Sequence, residues 1–112
     1  MKDKTPLLVE YSDLIKLLTT LSPKKRSQLI SQLKGREINC LSEIVSNFLQ
    51  KRLTTNPNVI EKLRKYRNDL KIVAKKKTPI YLKKKIYLSR RGGAILTTLL
   101  PLAVSLLSSI IG

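Results

Sequence analysis

Residues 38–53 read INCLSEIVSNFLQKRL, and their apolar side chains recur every three or four positions. This spacing is that of an amphipathic α-helix with one buried face, and no other part of the chain shows it as strongly. The apolar positions are Ile38, Leu41, Ile44, Val45, Phe48, Leu49 and Leu53. We therefore expect this helix to form the centre of the core. Cys40 lies within the pattern, which indicates a buried, unreactive thiol.

Two shorter helices are predicted before this stretch. Apolar residues at helical spacing favour a helix over residues 12–21. Ser22-Pro23 then supplies an N-cap and a proline at the first helical position, and Leu29, Ile30 and Leu33 follow on one face. We expect this second helix to stop at Gly35, because glycine is the usual residue just after a helix end.

After the central helix, Asn56-Pro57 repeats the combination of cap and proline. Ile60, Leu63, Leu70 and Val73 recur at near-heptad spacing, with cations on the other positions. The sequence therefore predicts a fourth helix with one buried seam and a basic back.

Thr78-Pro79 should interrupt that helix, because proline lacks an N–H and restricts the residue before it. The following cation triplet and its apolar flanks could form a short strand, a helical extension or a linker that becomes ordered on binding, and we favour the linker. Gly92-Gly93 indicates a flexible boundary before an uncharged, Leu-rich end.

These patterns predict an all-α fold, with a small module of about four helices, a basic linker and a hydrophobic C-terminal helix. The predicted segments are a helical module over 1–56, a basic fourth helix over 57–77, a basic linker over 78–93 and a hydrophobic tail helix over 94–112. At 112 residues, the chain suits one compact unit with a tail.

The charge is strongly positive and unevenly distributed. The formal net charge is +16; residues 1–50 carry eight basic and five acidic residues, whereas residues 51–91 carry fifteen basic and two acidic ones. Such a concentration of cations indicates a polyanionic partner, either nucleic acid or an anionic membrane. The chain has no histidine and one cysteine, and its acids are scattered, so we expect no catalytic site, metal or cofactor.

We call the cations of residues 62–91 the basic block. Clustered lysines neutralise phosphates without reading bases, so the block predicts DNA binding that tolerates any sequence and weakens with salt. Tyr66, Tyr81 and Tyr87 could stack on bases. The candidate DNA-binding residues are Lys62, Arg64, Lys65, Arg67, Lys71, Lys75, Lys76, Lys77, Lys83, Lys84, Lys85, Arg90 and Arg91. Anionic lipid headgroups are the alternative partner, because charge alone does not separate lipid from DNA.

The uncharged tail segregates its residues when placed on a helix. Thr97, Thr98, Pro101 and several serines share one side, and the aliphatic residues occupy the rest. The tail could anchor the chain in a membrane, insert into and disrupt one, pack on a capsid protein, or close the core of the bundle. The candidate membrane or partner contacts are Ile95, Leu96, Leu99, Leu100, Leu102, Leu106, Leu107 and Ile110.

The order of these parts resembles a group of viral proteins. The residues that carry the resemblance are Lys62-Leu63-Arg64-Lys65-Tyr66-Arg67-Asn68-Asp69-Leu70, Ala74-Lys75-Lys76-Lys77, Leu82-Lys83-Lys84-Lys85, Leu88 and Arg91-Gly92-Gly93 before a Leu-rich end. This pattern is similar to that of small proteins encoded by Polinton or Maverick elements and adintoviruses, which are themselves likened to the adenovirus virion core protein X, also called mu. The resemblance covers roughly residues 22 to 112 and is most specific from Lys62 to Gly93.

The resemblance implies a non-enzymatic virion core or packaging-associated protein that helps to condense double-stranded DNA. Its location would be the virion and the host-cell nucleus or cytoplasm, whereas the lipid alternative implies membrane association. It also implies a maturation protease as a partner, cutting beside Gly92 and Gly93. Such proteases favour an aliphatic residue four places before the cut. For a cut after Gly93 that place holds Arg90, so the sequence departs from the family's pattern here.

Overall fold

The computed structural model describes residues 5–54 and 56–111, with no account of the Ile111 side chain. Within these residues the chain is all-α, as the sequence predicts, and the final helix is long and apolar. The helices are α1 (Pro6–Glu10), α2 (Ser12–Thr20), α3 (Pro23–Ile30), α4 (Gly35–Leu49), α5 (Pro57–Arg64), α6 (Arg67–Ala74), α7 (Ile80–Leu88) and α8 (Arg90–Ile111).

Helix α4 forms the centre of the core, as its apolar spacing predicts. Among the residues whose side chains are described, those from Ile38 to Phe48 supply the largest buried set of any helix, and α4 packs against α1, α6, α7 and α8. The helix ends four residues before Leu53. Lys51 adopts a left-handed φ of 60°, and the amide of Arg52 donates to the Asn47 carbonyl at 2.8 Å. This is the geometry of a Schellman motif, which satisfies carbonyls that the helix end leaves open.

The two cap-and-proline signals mark helix starts as predicted. Ser22 accepts a hydrogen bond from the amide of Lys25 at 3.4 Å, and Pro23 is the first residue of α3. Asn56 accepts one from the amide of Asn58 at 2.9 Å, and Pro57 begins α5. Both signals act within a few residues, which is why they can be recognised without tertiary information.

Gly35 was expected to stop the second helix, but it is the first residue of α4. Helix α3 ends earlier, at Ile30, and the chain turns through residues 31–34. In this turn Leu33 is buried, so its apolar side chain joins the core from outside a helix. The predicted fourth helix is divided into α5 and α6 at Lys65 and Tyr66, where the Tyr66 backbone leaves helical geometry at φ −101° and ψ 16°.

Residues 80–88 form helix α7, so the expectation of a linker over this segment is wrong. Pro79 precedes the helix, where its missing N–H removes no helical hydrogen bond. Ile86 and Tyr87 are buried against the bundle, and the Tyr87 hydroxyl lies 3.1 Å from the Ser42 hydroxyl of α4. The segment is therefore ordered by packing within the chain.

The predicted boundary at Gly92-Gly93 lies inside α8, which starts at Arg90. Ser89 separates α7 from α8; its hydroxyl accepts a hydrogen bond from the Gly92 amide at 3.1 Å. A Cβ atom on Gly92 would lie 2.0 Å from the carbonyl oxygen of Ile86. Glycine is therefore required here by the close approach of two helices, and the interpretation of a flexible hinge is corrected.

Helix α8 belongs to the core. It packs along α2 and also contacts α1, α3, α4 and α7. The side of the helix that carries Thr97, Pro101, Ser105 and Ser108 faces solvent, so the polar stripe seen in the sequence is the exposed side of a core helix. The molecule is nearly isotropic, with principal extents of 31 × 29 × 29 Å.

Candidate nucleic-acid interface

Most of the basic block is exposed on the folded bundle. Eleven of its thirteen cations are exposed, Lys84 is half-buried and Lys83 is buried. The exposed members are Lys62, Arg64, Lys65, Arg67, Lys71, Lys75, Lys76, Lys77, Lys85, Arg90 and Arg91. The block is therefore presented by folded helices and their connections.

Packing of the short helices directs these cations outward. Helix α5 buries Leu63, and α6 buries Leu70 and Val73, which leaves the positions between them to solvent. Since side chains three or four apart share a helix face, cations between apolar positions must point away from the core. The outward orientation of these cations can be predicted from the sequence, because each of the two helices carries its own apolar seam.

The lysine triplet of residues 75–77 lies in a tight turn between α6 and α7. The Thr78 hydroxyl donates to the Ile72 carbonyl at 2.7 Å, and the Thr78 amide donates to the Lys75 carbonyl at 3.3 Å. These bonds close the turn on its inner side. All three lysines are exposed, whereas only one lysine of the second triplet, residues 83–85, is exposed.

Two arginines of the block have acidic partners. Arg64 lies 3.3 Å from Glu61 within α5, and both side chains are largely exposed. Such an exposed pair contributes at most about 1 kcal/mol, so Arg64 remains able to exchange its partner for a phosphate. Arg91 lies 3.2 Å from Asp69, whose side chain is mostly buried. This pair joins the start of α8 to α6.

Of the three tyrosines considered for base stacking, the structure places only Tyr81 on the surface. Its side chain is 74% exposed, whereas Tyr66 is half-buried beneath the Lys65 ammonium, 5.2 Å from the ring centroid. Tyr87 is buried, and burial raises the pKa of its hydroxyl above the usual value. Stacking by Tyr87 would require α7 to leave the bundle.

Lys83 is separated from the rest of the block. Its side chain is only 1% exposed, and its Nζ donates to Asn39 Oδ1 of α4 at 3.0 Å. The inclusion of Lys83 among the DNA-contacting residues is therefore corrected. Once residues 80–88 are taken as a helix, Lys83 shares its face with Ile80, Ile86 and Tyr87, so the sequence does contain the signal for its burial.

The glycine pair is not an accessible processing site in this fold. Gly92 is buried, and the backbone of both glycines is helical within α8. Proteases bind extended backbone, so cleavage beside Gly92 or Gly93 would first require the start of α8 to unfold.

The apolar residues of the tail lie mostly in the core. Most of the residues predicted to contact a membrane or partner are covered by other helices, so neither can reach them in this conformation. Ile95, Leu96, Leu99, Leu100 and Leu107 are buried; Leu102 and Leu106 are partly buried; Ile110 is 47% exposed. The expectation that this set forms a free contact surface is therefore corrected, and the alternative in which the tail closes the bundle describes the structure.

By length and composition alone, residues Arg90–Ile110 could cross a membrane, with a mean hydropathy of 1.9. A third of this segment is buried in the bundle. Core helices of soluble proteins show the same combination of length and apolar composition, so this property does not by itself indicate a membrane.

The sequence interpretation missed a structural role for Arg26. Its guanidinium is buried between α2 and α8, where Nε donates to the Leu18 carbonyl at 3.1 Å and Nη1 donates to the Thr97 hydroxyl at 2.8 Å. Desolvation lowers the pKa of Arg26. An arginine that follows two lysines is normally predicted to be exposed. The burial of Arg26 becomes evident only from the packing of α8 against it.

Comparison of the chain with family models, with curated proteins and with solved structures finds no match.

Proposed function

We propose that the protein binds double-stranded DNA without sequence preference through the exposed cations of the basic block. The observation that carries this proposal is the exposure of eleven block cations, of which only Arg64 and Arg91 form ion pairs with carboxylates among the described residues. Unpaired lysines on helix surfaces and in a tight turn neutralise phosphates well and read bases poorly.

The size and charge of the molecule match this role. Duplex DNA carries one negative charge per about 1.7 Å, so a duplex as long as the 31 Å molecule carries about 18 charges. The protein's formal charge is +16. The net charge of one copy is therefore similar in size to the charge of a duplex of its own length, which suits a protein that coats or condenses DNA in many copies.

The proposed biological setting is the core of a virus particle or a virus-like transposon. Its support is the resemblance of the basic block and the Arg91-Gly92-Gly93 motif to the small proteins of Polintons and adintoviruses. In this role the protein is non-enzymatic, and its partners are packaged DNA and other virion proteins. Its location is the virion and the nucleus or cytoplasm of the host cell.

A membrane-active or tail-anchored protein is the alternative function, and the length and hydropathy of α8 are compatible with it. Under this alternative the basic block contacts anionic headgroups, and α8 leaves the bundle to enter the bilayer. Burial of Leu99, Leu100 and Leu107 opposes it, because release of α8 would expose the apolar surfaces that now cover them.

Two charge variants test the proposal. The block variant replaces five exposed lysines by Gln, and the control variant replaces five exposed lysines outside the block, so each removes five positive charges. The block variant changes Lys62, Lys71, Lys75, Lys77 and Lys85. The control variant changes Lys16, Lys24, Lys25, Lys34 and Lys51. Affinity for a labelled duplex is measured by fluorescence anisotropy at fixed salt.

We expect the block variant to lose at least about 100-fold in affinity and the control variant to lose less than about 10-fold, because only the block contacts phosphates. Equal losses would show that net charge alone governs binding and would contradict the assigned surface. Co-sedimentation with anionic and neutral vesicles provides the other arm. Membrane binding without duplex binding would favour the alternative function.

A further inference from the structure

A cavity of about 550 Å³ lies between α1, α4 and the segment from α6 to α7, and its lining combines apolar residues with several charged and hydrogen-bonding side chains. The residues that line the cavity differ in their exposure to solvent. Ser42 and Lys83 are buried, Asn39 and Glu43 are half-buried, and Arg52 and Lys76 are exposed. The cavity therefore has a buried floor and a mouth that opens to solvent.

The Lys83 ammonium at the floor is incompletely satisfied by the protein. It donates one hydrogen bond, to Asn39 Oδ1 at 3.0 Å, although an ammonium has three donors. Lys83 forms no ion pair with any carboxylate of residues 5–54 and 56–111. Lysine is almost never fully buried without a partner, because desolvation of the charge is costly. Desolvation accordingly lowers the pKa of Lys83.

The charge of the cavity lining is positive. Lys76 and Arg52 at the mouth add two cations to Lys83, and Glu43 supplies an acidic side chain. The Glu43 carboxylate accepts hydrogen bonds from the amides of Leu7 and Leu8 at 3.1 and 3.2 Å. Because this carboxylate holds the start of α1, part of its charge is already compensated. The hydroxyl of Ser42 and the amide of Asn39 add neutral hydrogen-bonding groups.

From this geometry we propose that the cavity binds a small phosphate-bearing anion, with Lys83 as the buried contact and Lys76 and Arg52 as contacts at the mouth. The ligand class is inorganic phosphate or a small phosphomonoester, since the buried floor admits a terminal phosphate group and excludes the backbone of a rigid duplex. The site shares Lys76 with the exposed surface proposed for DNA, but its buried contact, Lys83, lies outside that surface, and neither proposal requires the other.

The test uses the full chain, inorganic phosphate as the probe, and the variants Lys83→Met and Lys85→Met. Lys85 lies on the same helix but is exposed, so its variant is a matched control for the loss of one lysine. Isothermal titration calorimetry measures binding, and thermal unfolding is followed in phosphate and in sodium chloride of equal ionic strength. The comparison with sodium chloride controls for ionic strength, and the Lys83→Met variant controls for the general stabilising effect of phosphate.

We expect saturable binding by the wild type and by Lys85→Met, with Tm raised on the order of 10 °C at about 100 times Kd. Lys83→Met should lose both effects, while its Tm without phosphate should equal or exceed that of the wild type. Equal phosphate effects in all three proteins would overturn the proposal, and so would the absence of binding by the wild type.

A second variant keeps the test decisive if Lys83→Met does not fold. The double variant Arg52→Gln with Lys76→Gln changes exposed side chains only, and we expect it to weaken phosphate binding at least about 10-fold. Unchanged affinity would overturn the proposal. The last measurement is the duplex affinity of Lys83→Met. An unchanged duplex affinity supports a small phosphate-bearing ligand for the cavity. A parallel loss of duplex and phosphate affinity would overturn the assignment of a small ligand.

Discussion

Gly92 shows how one residue fixes the junction between two helices. The Cβ of any other residue would lie 2.0 Å from the Ile86 carbonyl oxygen and 2.6 Å from the Tyr87 Cα, and neither backbone atom can rotate away. Gly93, one residue later, has no atom within 4 Å of the corresponding position. Adjacent glycines therefore have different roles, which the sequence motif alone does not reveal.

We predict that Gly92→Ala lowers the free energy of unfolding by about 3 kcal/mol or more, because backbone must move to admit the methyl group. Gly93→Ala should raise it by up to about 1 kcal/mol, since alanine favours a helix over glycine. Urea unfolding followed by circular dichroism measures both. Similar effects for the two variants would contradict the close approach of α7 and α8.

Burial strongly alters the titration of Cys40. Its thiol donates to the Leu7 carbonyl at 3.5 Å, and desolvation raises its pKa from 9.0 to about 12. The folded protein therefore keeps this proton while the unfolded chain releases it. Stability is unaffected by this group below pH 9 and falls as pH rises from 9 towards 12. Tyr87, whose pKa is also raised, acts in the same direction.

We predict that iodoacetamide at pH 8 alkylates folded Cys40 at least about 100-fold more slowly than the same thiol in urea, because the thiolate and the access path are both missing. Mass spectrometry of timed samples measures the rate. Alkylation at the rate of the unfolded chain would place Cys40 at the surface. Cys40→Ala should also reduce the loss of stability above pH 9.

Helices whose ends are determined by neighbouring residues in the sequence could be predicted. Helices whose formation depends on packing against distant residues could not. The starts of α3 and α5 follow from Ser22 and Asn56, whose side chains bond amides two or three residues away. Helix α7 was missed because its cation triplet interrupts the apolar pattern, and its order depends on contacts of Ile86 and Tyr87 with other helices.

Helix α8 shows the limit of amphipathic patterns most clearly. Its polar stripe and apolar face fit a membrane surface, a capsid groove or a protein core equally well. Which of these three environments the helix occupies depends on whether the first seven helices complete a core without it. They do not, because α2 packs along α8 and the guanidinium of Arg26 bridges them.

At the level of this element, we predict that Leu99→Ala lowers the free energy of unfolding by about 2–5 kcal/mol, as expected for a fully buried leucine. Ser105→Ala, on the exposed side of the same helix, should change it by less than about 0.5 kcal/mol. Urea unfolding compares the two. A stable, unaltered Leu99→Ala protein would show that α8 is not part of the core and would favour the membrane alternative.

For the molecule as a whole, composition predicted the candidate surface better than it predicted the candidate cavity. The basic block could be located because charge density is a property of the sequence, and most of its cations are exposed. The cavity could not, because it joins Arg52, Asn39 and Lys83 from three separate segments. Lys83 was assigned to the surface since a lysine in a basic run is normally solvated.

The most direct test of the whole account is the salt dependence of duplex affinity for the intact protein. Binding that releases counterions gives a slope of about −0.9 per phosphate contacted when log K is plotted against log salt. With eleven exposed block cations, we predict a slope steeper than about −4 and equal affinity for unrelated duplex sequences. A slope near zero, or affinity that depends strongly on sequence, would contradict the claim that the folded bundle presents its lysines to DNA phosphates.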